Sequence, residues 1–388
     1  MKKDLNKRKI LLKNIILFGV IAILLAGQVL ALGFNNNSEP EPNTETSHDQ
    51  HAMPEKFKAG DMIVEHIIDN HEWHILSYKD FHLSLPLPVI LVHEGKLHTF
   101  LSSRFNHQHS PYQGFGISHE GEYKGKIVRV DQAKFSQEGV ITQDPEQKLP
   151  LDFSITKTVL AIFISLIIMT WLFLHVAGRY RKNAGEAPSG IQSMLEPLIL
   201  FIRDDIAKPS IGEKKYQRYM PFLLTLFFFI FLNNLLGLVP IFPGGANVTG
   251  NIAVTMVLAV FTFLITSFSA NKNYWVHIVN TPGVPWWLKF PVPLMPVVEL
   301  IGVFTKPFVL MVRLFANITA GHIIVLGFIS LIFIFGQMNP GFGYGISIIS
   351  IAFSIFMNLL ELLVAFIQAY VFTLLSALYF GMAIEEHH

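Results

Sequence analysis

Charged residues vanish over long reaches of this chain. No Asp, Glu, Lys or Arg occurs from Thr158 to Gly178, from Tyr219 to Asn271, from Leu314 to Leu360 or from Leu362 to Ile384. A hydrocarbon core of ~30 Å is crossed by ~20 apolar helical residues, so these runs hold one, two or parts of several crossings. The fold class is an all-α polytopic membrane protein. Broken at its charges and at its Gly/Asn/Pro loops, the pattern predicts five transmembrane helices, near 153–178, 219–240, 252–270, 297–335 and 346–384. The last two are long. About 39 residues at ~1.5 Å rise give ~58 Å, roughly twice the hydrocarbon thickness. They are read as a long, tilted hairpin with Pro307 as a natural kink point. The alternative is that each is two shorter segments.

The N-terminus has its own pattern. Lys2, Lys3, Lys7, Arg8, Lys9 and Lys13 precede an apolar stretch from Ile15 to Ala26, and Val29-Leu30-Ala31 follows. Residues 1–31 read as a signal peptide, with an uncleaved membrane helix as the alternative. Residues 32–153 then form an exported, His-rich extension, and 154–388 the membrane domain. Within the extension, Asn35 to Glu55 is a polar linker and 61–74 a short helix. Apolar stretches at 88–100, broken by Glu94-Gly95, and at 126–142 suggest a small outer segment with β structure. Eleven of the 16 His lie in this extension, including His71/His74 and His107/His109, so metal binding has to be weighed. No ligand set follows the pairs. A solvated His-rich surface is the simpler reading, and no metal or cofactor is expected.

Loops rich in Lys and Arg alternate with loops that have none. Arg179, Arg181, Lys182, Arg203, Lys208, Lys214, Lys215 and Arg218 lie after the first helix, whereas 241–251 and 336–345 are free of basic residues. The positive-inside rule then places the N-terminal extension outside and the C-terminus in the cytoplasm, across the cell (inner) membrane. Residues 191–206, in the first basic loop, could lie flat on the membrane or pack on protein.

Composition narrows the function. Of 388 residues, 51% are hydrophobic and only 15% charged, which argues against a soluble enzyme. The 29 Lys+Arg barely exceed the 28 Asp+Glu, so no basic excess serves nucleic acid. The absence of Cys removes disulfides, thiolate metal sites and thiol nucleophiles.

The intramembrane ionisable residues carry the functional signal, because each needs a partner, an aqueous cavity or a task. Glu299 and Lys306 lie near the start of their helix. Arg313 lies deep, with about 22 residues between it and Gly336, and a guanidinium stays charged there. Ala316, Asn317 and Ala320 share its face, a strip of small residues that lets another helix approach. His322 lies roughly half a turn round from Arg313. On the last helix Ser354, Asn358, Glu361, Ala365, Gln368 and Phe372 follow steps of three or four, giving a mostly polar stripe suited to a proton path.

Together these residues resemble a known signature. The run Glu299, Lys306-Pro307, Val312-Arg313-Leu314-Phe315-Ala316-Asn317 and Ala320-Gly321-His322 is similar to that of subunit a of F-type ATP synthases. So are Phe231 to Pro240 with Asn233 and Asn234, Gln368, and the Ile384-Glu385-Glu386-His387 ending. The resemblance implies a stator subunit of the membrane sector, with no catalysis alone, within a proton-transporting two-sector ATPase. It implies two offset half-channels for protons and a ring of c subunits as partner. The b subunits of the peripheral stalk, the F1 sector (indirectly) and membrane lipid are the other partners, and nucleic acid is not one. Arg313 corresponds to the essential arginine facing the ring, Asn317 and Gln368 to its polar neighbours, and Glu299 to an acid on the cytoplasmic path. His322 and Glu361 exchange the acid and imidazole of some members. Asn233, Asn234, Ser354 and Asn358 would be supporting polar groups. The exported extension is longer than in better-known members. A stand-alone secondary transporter or ion channel is the competing reading; an internal repeat would favour it, and none is visible.

Overall fold

The computed structural model describes residues 59–60, 63, 69–78, 81–105, 110–118, 121–182, 187–239, 242–280 and 294–385. The expected signal peptide, the polar linker, His107, His109 and the segment around Trp286-Trp287 lie outside the described residues.

Residues 69–153 form a small β-rich unit. Strand β1 (Glu72–Tyr78) pairs antiparallel with β2 (Phe81–Pro86). This corrects the helix expected over 61–74: from Glu72 onward the chain is strand, rich in the aromatic and β-branched residues that suit a pleated surface. Strands β3 (Pro88–His93) and β4 (Lys96–Leu101) form the expected hairpin. Glu94 and Gly95 both take positive φ, 50° and 75°, which gives the connection the twist of its strands. β3 alternates, burying Val89, Leu91 and His93, and its other edge takes a two-residue strand, Leu151–Asp152. Val89 and Leu91 pack with Phe105, Phe115, Ile117 and Ile127. The last three come from a further pair, Phe115–Ile117 with Ile127–Arg129. The β pattern expected over 126–142 stops early, because Asp131 accepts from the Ala133 and Lys134 amides and Gly139 closes with φ 69°. Together they cut out a short helix, α1 (Gln132–Glu138).

The rest is helical. Helix α2 (Lys157–Lys182) leads to α3 (Ile191–Phe201), a π-helical turn over Ile202–Ala207 and a single turn, α4 (Lys208–Ile211). Leu195, Ile202 and Ile206 in this connection are buried, so it packs on protein. Then come α5 (Tyr216–Leu238), α6 (Ile252–Ser269), a short α7 (Lys272–Val279), and the long pair α8 (Leu294–Met338) and α9 (Pro340–Ile384). Among the described residues five helices are long and apolar enough to cross a membrane: α2, α5, α6, α8 and α9.

The central hairpin exceeds expectation. α8 and α9 have 45 residues each, ~68 Å at helical rise, and α8 runs through Pro307 unbroken. The two-segment alternative is thereby set aside. Asn339 turns the chain, its side chain accepting from the Gly341 amide, with Pro340 at the first helical position. Next to the turn a Cβ on Gly343 would lie 2.8 Å from the Gly336 Cα, so glycine permits the close crossing. Further along, Phe328 stacks on Phe353 at 5.2 Å, and Lys306 lies 5.8 Å from the Tyr379 ring centre.

The apolar core gathers around α5. Leu223, Leu226, Phe227 and Ile230 are fully enclosed there, as are Ala369, Phe372, Ala377 and Phe380 of α9. The last carbonyls of α9 are capped from elsewhere: the Asn271 amide donates to Ala383 O, and Asn271 Nδ2 to Ile384 O. The hairpin's other side is bare. Phe304, Phe308, Ile348, Ile355, Leu359 and Leu363 are each more than half exposed, a surface that needs lipid or another protein.

Candidate functional site

The hairpin holds two ionisable stations with opposite surroundings. The first is Arg313, on the exposed face of α8 with Val312, Ala316, Asn317 and Ala320. Leu310, Met311, Leu314 and Ile318 point the other way, into the core. That burial fixes the helix's rotation, so the guanidinium must face outward. No carboxylate lies within ion-pair distance of it among the described residues. The contacts that set the hairpin's register put Arg313 level with the turn of α9 that carries Gln368, which is buried.

The second station is buried in the seam. His322 Nδ1 lies 2.5 Å from Glu361 Oε1, with side chains 11% and 5% exposed. Gly321 makes room for it. A Cβ there would stand 2.9 Å from the Glu361 Cδ and Oε1, closer than real side chains sit. Gly237 on α5 faces the seat from the other side: a Cβ there would come 3.8 Å from His322 Nε2 and 3.4 Å from Ala246 O, ordinary contact distances.

Polar groups on α5 and the following loop brace this seat. Asn234 Nδ2 donates to Ala365 O of α9 at 3.3 Å, and its Oδ1 accepts from Thr249 Oγ1 at 2.5 Å. Asn233 donates to Phe229 O in its own helix. Thr319 Oγ1 of α8 reaches Gly250 O at 3.5 Å. The loop 242–251 therefore touches α8 directly and reaches α9 through Asn234. Thr249 carried no signal in the sequence, because its importance comes from a partner distant in the chain.

A third feature lies toward the end away from the β-rich unit. Glu299, half-buried, interacts electrostatically with Tyr274 of α7. Burial pushes the Tyr274 phenol up, and the Glu299 charge adds to the effect. Beside them a narrow crevice is lined by Thr262, Thr266, Ser267, Tyr274, Lys306 and Tyr379. Its hydroxyls continue toward the level of Arg313.

The polar stripe on α9 divides. Ser354, Glu361, Ala365, Gln368 and Phe372 are buried, and Ser354 Oγ finds no partner among the described residues. Asn358 is exposed instead, on the bare face. The structure thus joins His322 to Glu361 and Asn234 to α9, and it leaves Asn317 and Asn358 outside the seam with Arg313. Among the described residues no group of three or more His, Asp or Glu is placed to hold a metal ion.

Comparison with known proteins bears on this arrangement. Residues 159–381 match the family described as the ATP synthase A chain, and residues 62–153 a family described only as a domain of unknown function. ATP synthase subunit a of Chloroherpeton thalassium is 46% identical over 244 residues, 61% of this chain and 69% of that protein. ATP synthase subunit a 2 of Chlorobium luteolum is 38% identical over 349 residues, 88% of this chain and 81% of that one. The Myxococcus xanthus subunit a is 44% identical over 245 residues, 61% and 75% of the two chains.

Proposed function

Since the chain belongs to the ATP synthase subunit a family, a multi-pass stator component of the membrane sector, we propose that Arg313 is the electrostatic gate of its proton transport. The observation that carries this reading is a guanidinium on the exposed side of a membrane helix, with no carboxylate within ion-pair distance among the described residues. Left against lipid it would cost ~2.5–3.5 kcal/mol on insertion scales. A partner that brings a carboxylate to it offsets that cost. The partner that fits is the ring of c subunits, each carrying an acid within the membrane.

The physics then follows from charge. In lipid the ring acid is protonated, because a buried unpaired charge is expensive. Opposite Arg313 the ionised form becomes favourable, since an opposite charge within a few ångströms lowers a carboxyl pKa. The proton leaves by one path and the ring advances. A second, offset path reloads the next acid. His322 and Glu361 serve the outer path, near the β-rich unit, which is exported in this orientation. Glu299 and the hydroxyl-lined crevice serve the inner one. Arg313 separates the two and repels protons that would leak between them. A membrane potential of 100 mV contributes ~2.3 kcal/mol for each proton moved.

The test is ATP-driven proton pumping by inverted membrane vesicles carrying Arg313→Ala. Pumping is expected to disappear while ATP hydrolysis by the detached catalytic sector persists. Coupled pumping retained in that variant rules the assignment out.

A further inference from the structure

The β-rich unit has no part in the mechanism above, yet it is fastened to the membrane helices with care. Asp69 and Asn70 cap α2 from 89 residues away or nearly so: Asp69 Oδ1 accepts from the Thr158 amide at 2.9 Å, and Asn70 O from the Lys157 amide at 2.9 Å. Beside them His71 Nε2 meets Asp152 Oδ2 at 2.8 Å, with the histidine side chain only 7% exposed. Two residues on, Trp73 leaves the β-rich unit's own core. It is 2% exposed and belongs to the apolar cluster of the membrane helices. Its ring meets Phe242 edge-on at 5.2 Å, with 66° between the planes.

Phe242 opens the loop that braces the buried His322–Glu361 pair. That loop supplies Ala246 O, packed against Gly237 where His322 Nε2 arrives, as well as Thr249 to Asn234 and Gly250 O to Thr319. A physical chain therefore runs from the β-rich unit to the His322–Glu361 seat: capped helix, anchored tryptophan, aromatic contact, loop, imidazole. We propose that the β-rich unit is a clamp on the outer proton path, with Trp73 as the positioning residue that fixes the 242–251 loop and thereby the seat of His322. The inference rests on the reading of His322 and Glu361 as the outer station. It gives the N-terminal unit a task that does not need its histidines as ligands.

The test uses the whole ATP synthase complex in inverted vesicles, where the outer face is the lumen. ATP synthesis is followed after acid–base jumps while the lumenal pH is varied, and rates are normalised to assembled complex. Trp73→Ala is expected to slow synthesis about threefold to tenfold and to move its lumenal pH midpoint by about half a unit, the scale of one aromatic pair. Trp73→Phe restores most of the rate and the midpoint. Phe242→Leu, at a half-exposed position that tolerates change, shows the same shift, and the double variant is no worse than the worse single. An unmoved midpoint in both single variants overturns the clamp, as do fully additive effects. If Trp73→Ala fails to assemble, the Phe242→Leu midpoint decides alone. Arg313→Ala in the same preparations keeps the two readings apart: coupled synthesis surviving there sinks the gate, whereas a normal Trp73→Ala profile with a dead Arg313→Ala sinks only the clamp.

Discussion

Arg313 and His322 stand nine residues apart on α8 and meet different surroundings. His322 is enclosed with Glu361, beside Gly321, which leaves space for the acid, and a loop that braces the seat. Arg313 faces out on a strip of alanine and asparagine, with no carboxylate beside it among the described residues. Among the described residues one station finds its partner and the other does not. A charge finished within the chain can hold a proton and pass it on. A charge left open acts on something that arrives, and in the proposed mechanism that is the moving acid met at the exposed face.

The largest break in this contrast comes from removing the open charge. Arg313→Gln is expected to lower coupled proton transport by more than about 100-fold, the scale lost with a single preorganised electrostatic donor. Arg313→Lys stays severely impaired, because an ammonium lacks the planar, weakly hydrated fork. Vesicle pumping assays measure both.

The enclosed station breaks differently. Glu361→Leu leaves His322 without its partner in a buried seat, and breaking such a pair costs ~3–5 kcal/mol. Transport and the thermal stability of the assembled subunit should fall together. The exchange His322→Glu with Glu361→His puts both groups back and should recover part of the loss. For Arg313 the described residues offer no exchange partner, and that difference is the comparison in experimental form.

Gly321→Ala sharpens it further. The added methyl falls on the Glu361 carboxyl, and overpacking of this kind costs ~1–3 kcal/mol. Outer-path function should weaken, read as a shift in the lumenal pH dependence of synthesis, with Arg313 chemistry untouched. Ala316→Gly on the open face, by contrast, should change little beyond helix propensity, about 1 kcal/mol.

Much of this was legible along the chain, for a physical reason. Charge-free runs and basic loops mark membrane helices, and the five helices follow them. Arg313, His322, Glu361 and Gln368 announced themselves because ionisable or polar groups in such runs need an explanation. What was hidden depends on contacts across the fold. The stripe on α9 is one case. Asn358 and Gln368 lie about 80° apart around the axis, so the neighbours that cover one leave the other bare. The strand at Glu72 is another: a few polar and apolar residues before it gave no helix stop, and pairing with β2 decided the matter. The hairpin outran its expected length because Asn339 and Pro340 turn the chain within two residues, with glycines pressed together just beyond. The contact of Trp73 with Phe242, far apart in sequence, left no local trace.

The smallest expected effect concerns pH at the junction of the β-rich unit. Burial opposes charge on both partners there, but their mutual hydrogen bond and attraction win: the His71 imidazole is held above its usual value and the Asp152 carboxyl below its own. Asp69, facing His71, is pushed up by burial. A raised imidazole stabilises fully below about pH 6.5 and loses that contribution as pH rises through its folded value. The Asp152 contribution is lost only in acid, as pH falls through its lowered value. Ionisation of Asp69 weakens the junction in the alkaline direction, as His71 does. The melting temperature of wild-type subunit should therefore exceed that of His71→Gln by more at about pH 5.5 than at about pH 9, where the gap closes. An equal gap at both pH values contradicts the pairing.

The central claim is that the open face of the hairpin meets a moving carboxylate at Arg313, and the absence of native cysteine in this chain makes it directly testable. Ala316→Cys, one turn from Arg313, is paired with a cysteine one turn from the ring acid of the c subunit, and the membranes are oxidised. A disulfide between the two subunits is predicted, formed in high yield and blocking rotation until it is reduced. No cross-link from Ala316→Cys, alongside efficient cross-linking from a cysteine on the opposite, core-facing side of α8, would contradict the account.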